Sequence, residues 1–119
     1  MAFNLTNVSS IVGMTSATIG VSISGVTVIG APATNHTYKV NSVLASNRTN
    51  TAATVTLALN RGTTWTSLAY NVSVPSYSTL VLVGKDTPFY MLDTTSDILS
   101  ATANTLSAID IIASYEDIS

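Results

Sequence analysis

The chain contains no cysteine and very little charge: four of its 119 residues are Lys or Arg, six are Asp or Glu, and charged residues make up 8%. A typical soluble domain has about 25%. Without cysteine, a disulfide, a thiol nucleophile and a thiolate zinc site are all excluded. The basic residues Lys39, Arg48, Arg61 and Lys85 are dispersed along the chain. The sequence therefore lacks a basic patch for a phosphate backbone, and we expect no nucleic-acid partner.

Long uninterrupted apolar runs are also missing, although 46% of the residues are hydrophobic and the mean hydropathy is +0.42. Serine, threonine and glycine interrupt the uncharged stretch 11–33, whereas a membrane-spanning helix needs about 20 consecutive apolar residues. We therefore expect no membrane partner. No basic segment followed by a compact apolar one marks a signal peptide, which predicts synthesis in the cytoplasm. The apolar surplus then favours burial in subunit contacts, and so a homo-oligomer.

Apolar residues recur at every second position from Tyr38 onward, which is the spacing of β-strands. Asn60, Arg61 and Gly62 predict a hairpin turn, and Pro75 ends the strand that follows. The run 79–83 is apolar at every position except its first, Thr79, so we expect it in the centre of a sheet. A helix is the alternative for the last segment, but its Ile, Thr and Ser content favours a strand. The predicted strands cover 37–47, 53–60, 67–74, 79–83, 89–92, 97–103 and 106–115.

Turn signals at short, regular intervals without intervening helices predict an all-β protein. We expect a single antiparallel β-sandwich domain over residues 1–119, of jelly-roll or Ig-like type, with about seven or eight strands. Within it, residues 1–16 are predicted to form an extended N-terminal arm. Residues 17–36 are predicted to form an edge hairpin, and residues 37–119 the core sandwich.

No constellation of side chains predicts catalysis. His36 is the only histidine, so neither a histidine zinc site nor a well-supported Ser-His-Asp triad is available. Asp93 and Asp97 flank a turn, but the ligand spacing of a calcium loop is missing. Glu116 and Asp117 are adjacent near the end of the chain, where they favour solubility of the last strand. We therefore predict a non-enzymatic protein with no catalytic residue, no cofactor and no metal site.

Four residues are candidates for an interface. Phe3, Leu5 and Val8 are isolated apolar residues in the polar N-terminal segment, and an extended arm could anchor them on a neighbouring subunit. Trp65 follows the predicted hairpin turn and has three possible roles. It could stack on a sugar, fill a subunit contact or close the end of the core, and the last is the interpretation that the sequence favours.

Four segments support a resemblance to a known family: YKVNSVLASN at 38–47, VSVPSYSTLVLVGKDTPFYM at 72–91, DILSATAN at 97–104 and IIASYEDIS at 111–119. Over these segments the chain resembles small virion structural proteins of tailed bacteriophages, a group common in marine and cyanobacterial phages. The resemblance implies a particle component made in the host cytoplasm and located in the virion, without a catalytic motif.

Within a virion, the role we favour is a capsid decoration (cement) protein that binds the major capsid protein as a homotrimer. A neck, tail or baseplate attachment protein is the next alternative. A carbohydrate-binding module of a tail fibre, with Trp65 as a stacking platform, is a further one.

Overall fold

The computed structural model describes residues 8–119, and this part of the chain consists of β-strands and connecting turns without any helix. The all-β prediction is confirmed, and the helical alternative for the last segment is wrong. The strands are β1 (Ile11–Thr18), β2 (Val26–Ile29), β3 (Thr37–Asn47), β4 (Ala53–Arg61), β5 (Thr64–Val74), β6 (Thr79–Val83), β7 (Phe89–Leu92), β8 (Ile98–Ala103) and β9 (Ile109–Ile118).

The nine strands form two antiparallel sheets that pack together as a sandwich. Sheet A has five strands in the order β1-β9-β3-β6, and β7 pairs with the other half of β3. Sheet B has four strands in the order β2-β8-β4-β5. Apart from the insertion of β7, this interleaved order is that of a jelly roll, which decides between the two sandwich types that the sequence left open.

The predicted turns explain how the chain moves between strands. Gly62, with φ of +67°, lies between β4 and β5, where a positive φ costs glycine little. Pro75 follows β5 directly, at the point where the chain crosses to sheet A. The hairpin predicted from Asn60, Arg61 and Gly62 is therefore confirmed.

The core lies between the sheets and is made of the alternate, inward-facing residues of each strand. In β4 the burial alternates from Ala53 to Leu57, as the sequence pattern predicts. The largest fully buried apolar side chains include Leu57, Met91, Leu99, Ile109 and Ile111.

The N-terminal prediction needs correction. Residues 1–7 of the expected arm lie outside the described part of the chain. Residues 11–16 of that arm, however, belong to β1, which pairs with β9 in register from Ile11 opposite Ile118 to Thr18 opposite Ile111. β1 shows no period-two pattern because it is an edge strand that is mostly exposed on both faces.

The hairpin predicted for residues 17–36 is also wrong. β1 lies in sheet A and β2 lies in sheet B, so the two are not paired. The apolar signal between them comes from Val21, which is fully buried and donates its amide to the Ile109 carbonyl at 2.7 Å. Ile19 and Ile23 on either side point to solvent, since they are 76% and 62% exposed.

β6 is not the central strand that its apolar run predicted. It lies at the edge of sheet A, and Val81 is 59% exposed. Val81 points outward from sheet A, whereas its neighbours in the strand are partly buried, so both faces of β6 carry apolar side chains.

Candidate functional site

Trp65 lies near the start of β5, the edge strand of sheet B, directly opposite Asn60 of β4. Its side chain is 57% exposed. The interpretation that Trp65 closes the end of the core is therefore wrong. An exposed tryptophan leaves a large, rigid apolar surface available for contact.

Trp65 forms one wall of a groove on the outer face of sheet B, which we call the Trp65 groove. Its volume is about 320 Å³, at the lower end of the range of about 300 to 1,000 Å³ for small-molecule sites. The floor comes from outward positions of β4 and β8, and Ser24 and Gly25 form the opposite wall. The floor residues are Thr56, Ala58, Ser100 and Thr102.

Strand register explains why these small side chains lie together. Thr56 is directly opposite Thr102, and Ala58 is directly opposite Ser100, so all four project from the same face. Among residues 8–119, Trp65 is the only bulky side chain that lines the space above them. Sequence reasoning missed the floor because Ser, Thr and Ala on the outer face of a strand give no distinctive signal.

The opposite wall depends on Gly25. Its φ is +107°, and a Cβ built there would lie 3.3 Å from Cγ2 of Thr102. A side chain at this position would therefore be both strained and crowded. A second depression of about 180 Å³ adjoins the groove and shares Trp65, Ser24, Gly25 and Ser100 with it, extending along β2 to Thr27.

Within the described part of the chain, the residues that line the two depressions carry no charge. The nearest basic residue in sequence, Arg61, is engaged elsewhere, because its Nη2 lies 2.8 Å from Oδ2 of Asp97 and its Nε donates to both carboxylate oxygens. Thr95 and the Leu92 amide also donate to Asp97. Burial alone would raise the pKa of Asp97, but the hydrogen bonds from Arg61, Thr95 and Leu92 outweigh burial and lower it.

The Asp93 and Asp97 pair does not resemble a calcium site. The Asp97 carboxylate is occupied by the contacts just described, and Oδ2 of Asp93 accepts the Asn35 amide at 2.7 Å. Among residues 8–119 no group of three or more His, Cys, Asp or Glu side chains could hold a metal ion. His36 contacts Asp117, with 2.7 Å between Nδ1 and Oδ1, and so ties the loop before β3 to the end of β9.

The candidate interface residues of the N-terminus are only partly described. Phe3 and Leu5 lie outside the described residues, and Val8 is half-buried. The residues after Val8 are tied to the end of the chain, because the amides of Ser9 and Ser10 donate to the Ser119 carbonyl at 2.7 and 2.9 Å. The structure does not bring Val8 and Trp65 into one described site.

A second candidate surface is the free side of β1, which we call the β1 edge. Among residues 8–119, β9 is the only strand that pairs with β1. Ile11, Val12 and Met14 are 59%, 49% and 40% exposed, and the strand contains no charged residue or proline. Such an edge leaves main-chain donors and acceptors available to a strand of another chain.

An apolar row crosses the outer face of sheet A beside this edge. Ala17, Ile112, Leu44 and Val81 are opposite one another on β1, β9, β3 and β6. Ile112 is 48% exposed and Val81 59%. Hydroxyl side chains flank the row, including Ser46 and Thr79, whose oxygens are 2.9 Å apart. Alternation predicted that these strands had two faces, but not that apolar residues would align on the outer one.

No family description matches the chain, and no curated protein matches it. Residues 8–119 contain no helix that is long and apolar enough to cross a membrane.

Proposed function

We propose that this chain is a non-enzymatic structural protein of a tailed-bacteriophage virion, made in the host cytoplasm. The specific role that we propose is capsid decoration, in which a homotrimer binds the lattice of the major capsid protein. Neck, tail or baseplate attachment is the alternative location in the particle.

The observation that carries the proposal is the exposed β1 edge together with the apolar row beside it on sheet A. The β1 edge offers main-chain hydrogen-bonding groups, and the apolar row adds exposed side chains on the adjoining face. Contacts of this kind depend on apolar burial and main-chain pairing, so salt screens them little. A protein that coats a particle through many repeated copies benefits from such contacts.

The position of the two edges of sheet A supports a closed ring of copies, of which the proposed trimer is one. A closed ring of three copies needs two different surfaces that fit each other. Sheet A ends in β1 on one side and in β6 and β7 on the other, and none of these strands carries a charged side chain. Head-to-tail pairing of β1 with β6 of the next copy would satisfy both edges.

The jelly-roll order adds support by analogy. This architecture is used in viral capsid proteins and also in lectins. Because one fold hosts many functions, the analogy is consistent with a virion role and does not select it.

The proposal is tested by quantitative mass spectrometry and cryo-electron microscopy of purified phage particles that encode this chain. Decoration predicts on the order of hundreds of copies per particle, with trimeric density on the capsid surface. A copy number that fits a single ring, with density at the neck or tail, would replace decoration by attachment. Absence from washed particles would refute the virion role.

A further inference from the structure

We infer that the Trp65 groove is a binding site for a neutral oligosaccharide, with one sugar ring stacked on the indole of Trp65. This site lies on sheet B, whereas the proposed assembly surface lies on sheet A. The inference therefore goes beyond the structural role and does not depend on it.

The first argument is the exposure and setting of the tryptophan. Trp65 is 57% exposed and stands beside a floor of small side chains, so a flat molecule can approach the indole face from the groove. A pyranose ring has an apolar face of C–H groups and a rim of hydroxyls. The apolar face matches the indole, and burial of both surfaces favours binding.

The second argument is the hydrogen-bonding chemistry of the floor. Ser100 and Thr102 are half-buried residues of the floor with side-chain hydroxyls, and Thr27 lies opposite Ser100 on β2. A hydroxyl both donates and accepts, which suits the hydroxyl rim of a sugar. The lining residues among 8–119 supply no charge, so a sulfate or carboxylate on the ligand would gain no ion partner from them.

The third argument is the shape of the site. The groove of about 320 Å³ and the depression of about 180 Å³ meet at Trp65, Ser24, Gly25 and Ser100. Two adjoining depressions along one surface fit linked sugar rings better than a single ring. The site is therefore expected to prefer oligosaccharides over monosaccharides.

Two other occupants fit the site less well. A proline-rich peptide is usually held by a series of aromatic side chains, whereas Trp65 is the one aromatic residue of the described chain that lines the two depressions. If a second copy of this chain packed into the groove, we would expect an apolar floor. Hydroxyl side chains dominate the floor instead.

The experiment uses the fluorescence of Trp65, which is the only tryptophan of the chain. Purified full-length protein is titrated with cellotriose, maltotriose, chitotriose and mannotriose, with glucose and a sulfated heparin disaccharide for comparison. We expect a saturable change in emission with at least one neutral trisaccharide. Binding of the corresponding monosaccharide and of the sulfated probe should be at least about tenfold weaker.

Ser100→Gln is the test variant, because it fills the floor and keeps the fluorescent residue. Ser73→Gln is its matched control, since Ser73 is an exposed position on β5 of the same sheet outside the lining of the groove. Ser100→Gln should weaken binding at least about tenfold, and Ser73→Gln should leave it unchanged. Trp65→Ala, followed by NMR, should likewise weaken binding while preserving a dispersed spectrum.

Three results would overturn the inference. One is the absence of any saturable change with the four trisaccharides at millimolar concentration. Another is equal binding by Ser100→Gln and the unmodified protein. The third is evidence that a protein occupies the groove. Such evidence would be a protection of Trp65 from acrylamide quenching that increases with protein concentration, or a change in emission with a proline-rich peptide and with no sugar.

Discussion

Arg61 and Asp97 form an ion pair in which one partner is half-exposed and the other fully buried. Nη2 of Arg61 lies 2.8 Å from Oδ2 of Asp97, and their side chains are 47% and 0% exposed. The pair joins the end of β4 to the turn before β8, directly beside the hairpin that carries Trp65. The buried carboxylate therefore depends on a cation that solvent can still reach.

Arg61→Ala should destabilise the protein by about 3 kcal/mol at neutral pH, because it leaves the Asp97 carboxylate buried without its cation. Urea denaturation at pH 7 measures this effect. Arg48→Ala is the matched control. Arg48 lies 3.7 Å from Asp110 in a partly exposed pair, so its removal should cost less than about 1 kcal/mol.

The same variant gives a test of pH dependence. In the unmodified protein the pKa of Asp97 is lowered, so its stabilising contribution is present above the unfolded value of about 3.9 and is lost as pH falls through the folded pKa. Without Arg61, burial should raise that pKa instead. The difference in stability between the two proteins should therefore shrink from pH 7 toward pH 4. A constant difference would show that Arg61 acts through packing alone.

Gly13→Lys should prevent assembly while leaving the protomer folded. A Cβ at Gly13 would meet no atom of residues 8–119 within 4 Å, and Glu116 lies directly opposite in β9. The lysine is therefore tolerated, but it places a charge on the β1 edge, where charge opposes strand pairing. Light scattering should give a trimer for the unmodified protein and a monomer for the variant.

Gly30→Lys provides the matched control, because it introduces the same side chain at another exposed glycine with no atom within 4 Å of the Cβ. It should remain trimeric. If the unmodified protein is monomeric at tens of micromolar, the proposed oligomer is wrong. If Gly13→Lys is trimeric, a surface other than the β1 edge holds the copies together.

β3, β4, β8 and the first half of β9 could be predicted because each has one buried face, which imposes the period-two pattern. Gly62 and Pro75 mark the turns that bound β5. β1 could not be predicted, since an edge strand exposed on both faces has no such pattern. β6 misled for the opposite reason: Val81 is apolar although it points outward. An apolar residue in the sequence therefore indicates burial within the protomer only where that residue does not contact another molecule instead.

The Trp65 groove shows a second limit of what can be predicted from the sequence. The position of Trp65 near a hairpin turn could be predicted, but its exposure depends on how far β5 extends at the edge of sheet B. The floor depends on the pairing of Ala58 with Ser100 and of Thr56 with Thr102. That pairing brings together residues far apart in the chain, so no local pattern reveals it.

Ile112→Thr should weaken attachment to particles with little effect on protomer stability. Ile112 is 48% exposed in the centre of the apolar row, so the change should alter the free energy of unfolding by less than about 1 kcal/mol. Attachment to particles that lack the protein should weaken about tenfold, measured by cosedimentation.

Two controls isolate the position of Ile112. Ile23→Thr changes an exposed isoleucine outside sheet A and should leave cosedimentation unchanged. Ile111→Thr changes the adjacent, fully buried residue and should destabilise the fold by about 2 kcal/mol or more. Equal cosedimentation of Ile112→Thr and the unmodified protein would remove the apolar row from the docking surface.

Deletion of residues 1–7 should leave the melting temperature unchanged and reduce retention on particles. The deletion spares Ser9 and Ser10, whose amides donate to the Ser119 carbonyl. It removes Phe3 and Leu5, each of which could stabilise a contact with a neighbouring subunit by about 1.5 to 3 kcal/mol before ordering costs.

A full-length variant with both residues changed to serine distinguishes the effect of the two side chains from the effect of shortening the segment. This variant should show the same loss of retention on particles. A lower melting temperature in both variants would show instead that the two side chains stabilise the protomer itself. Unchanged retention on particles would exclude the two side chains from docking.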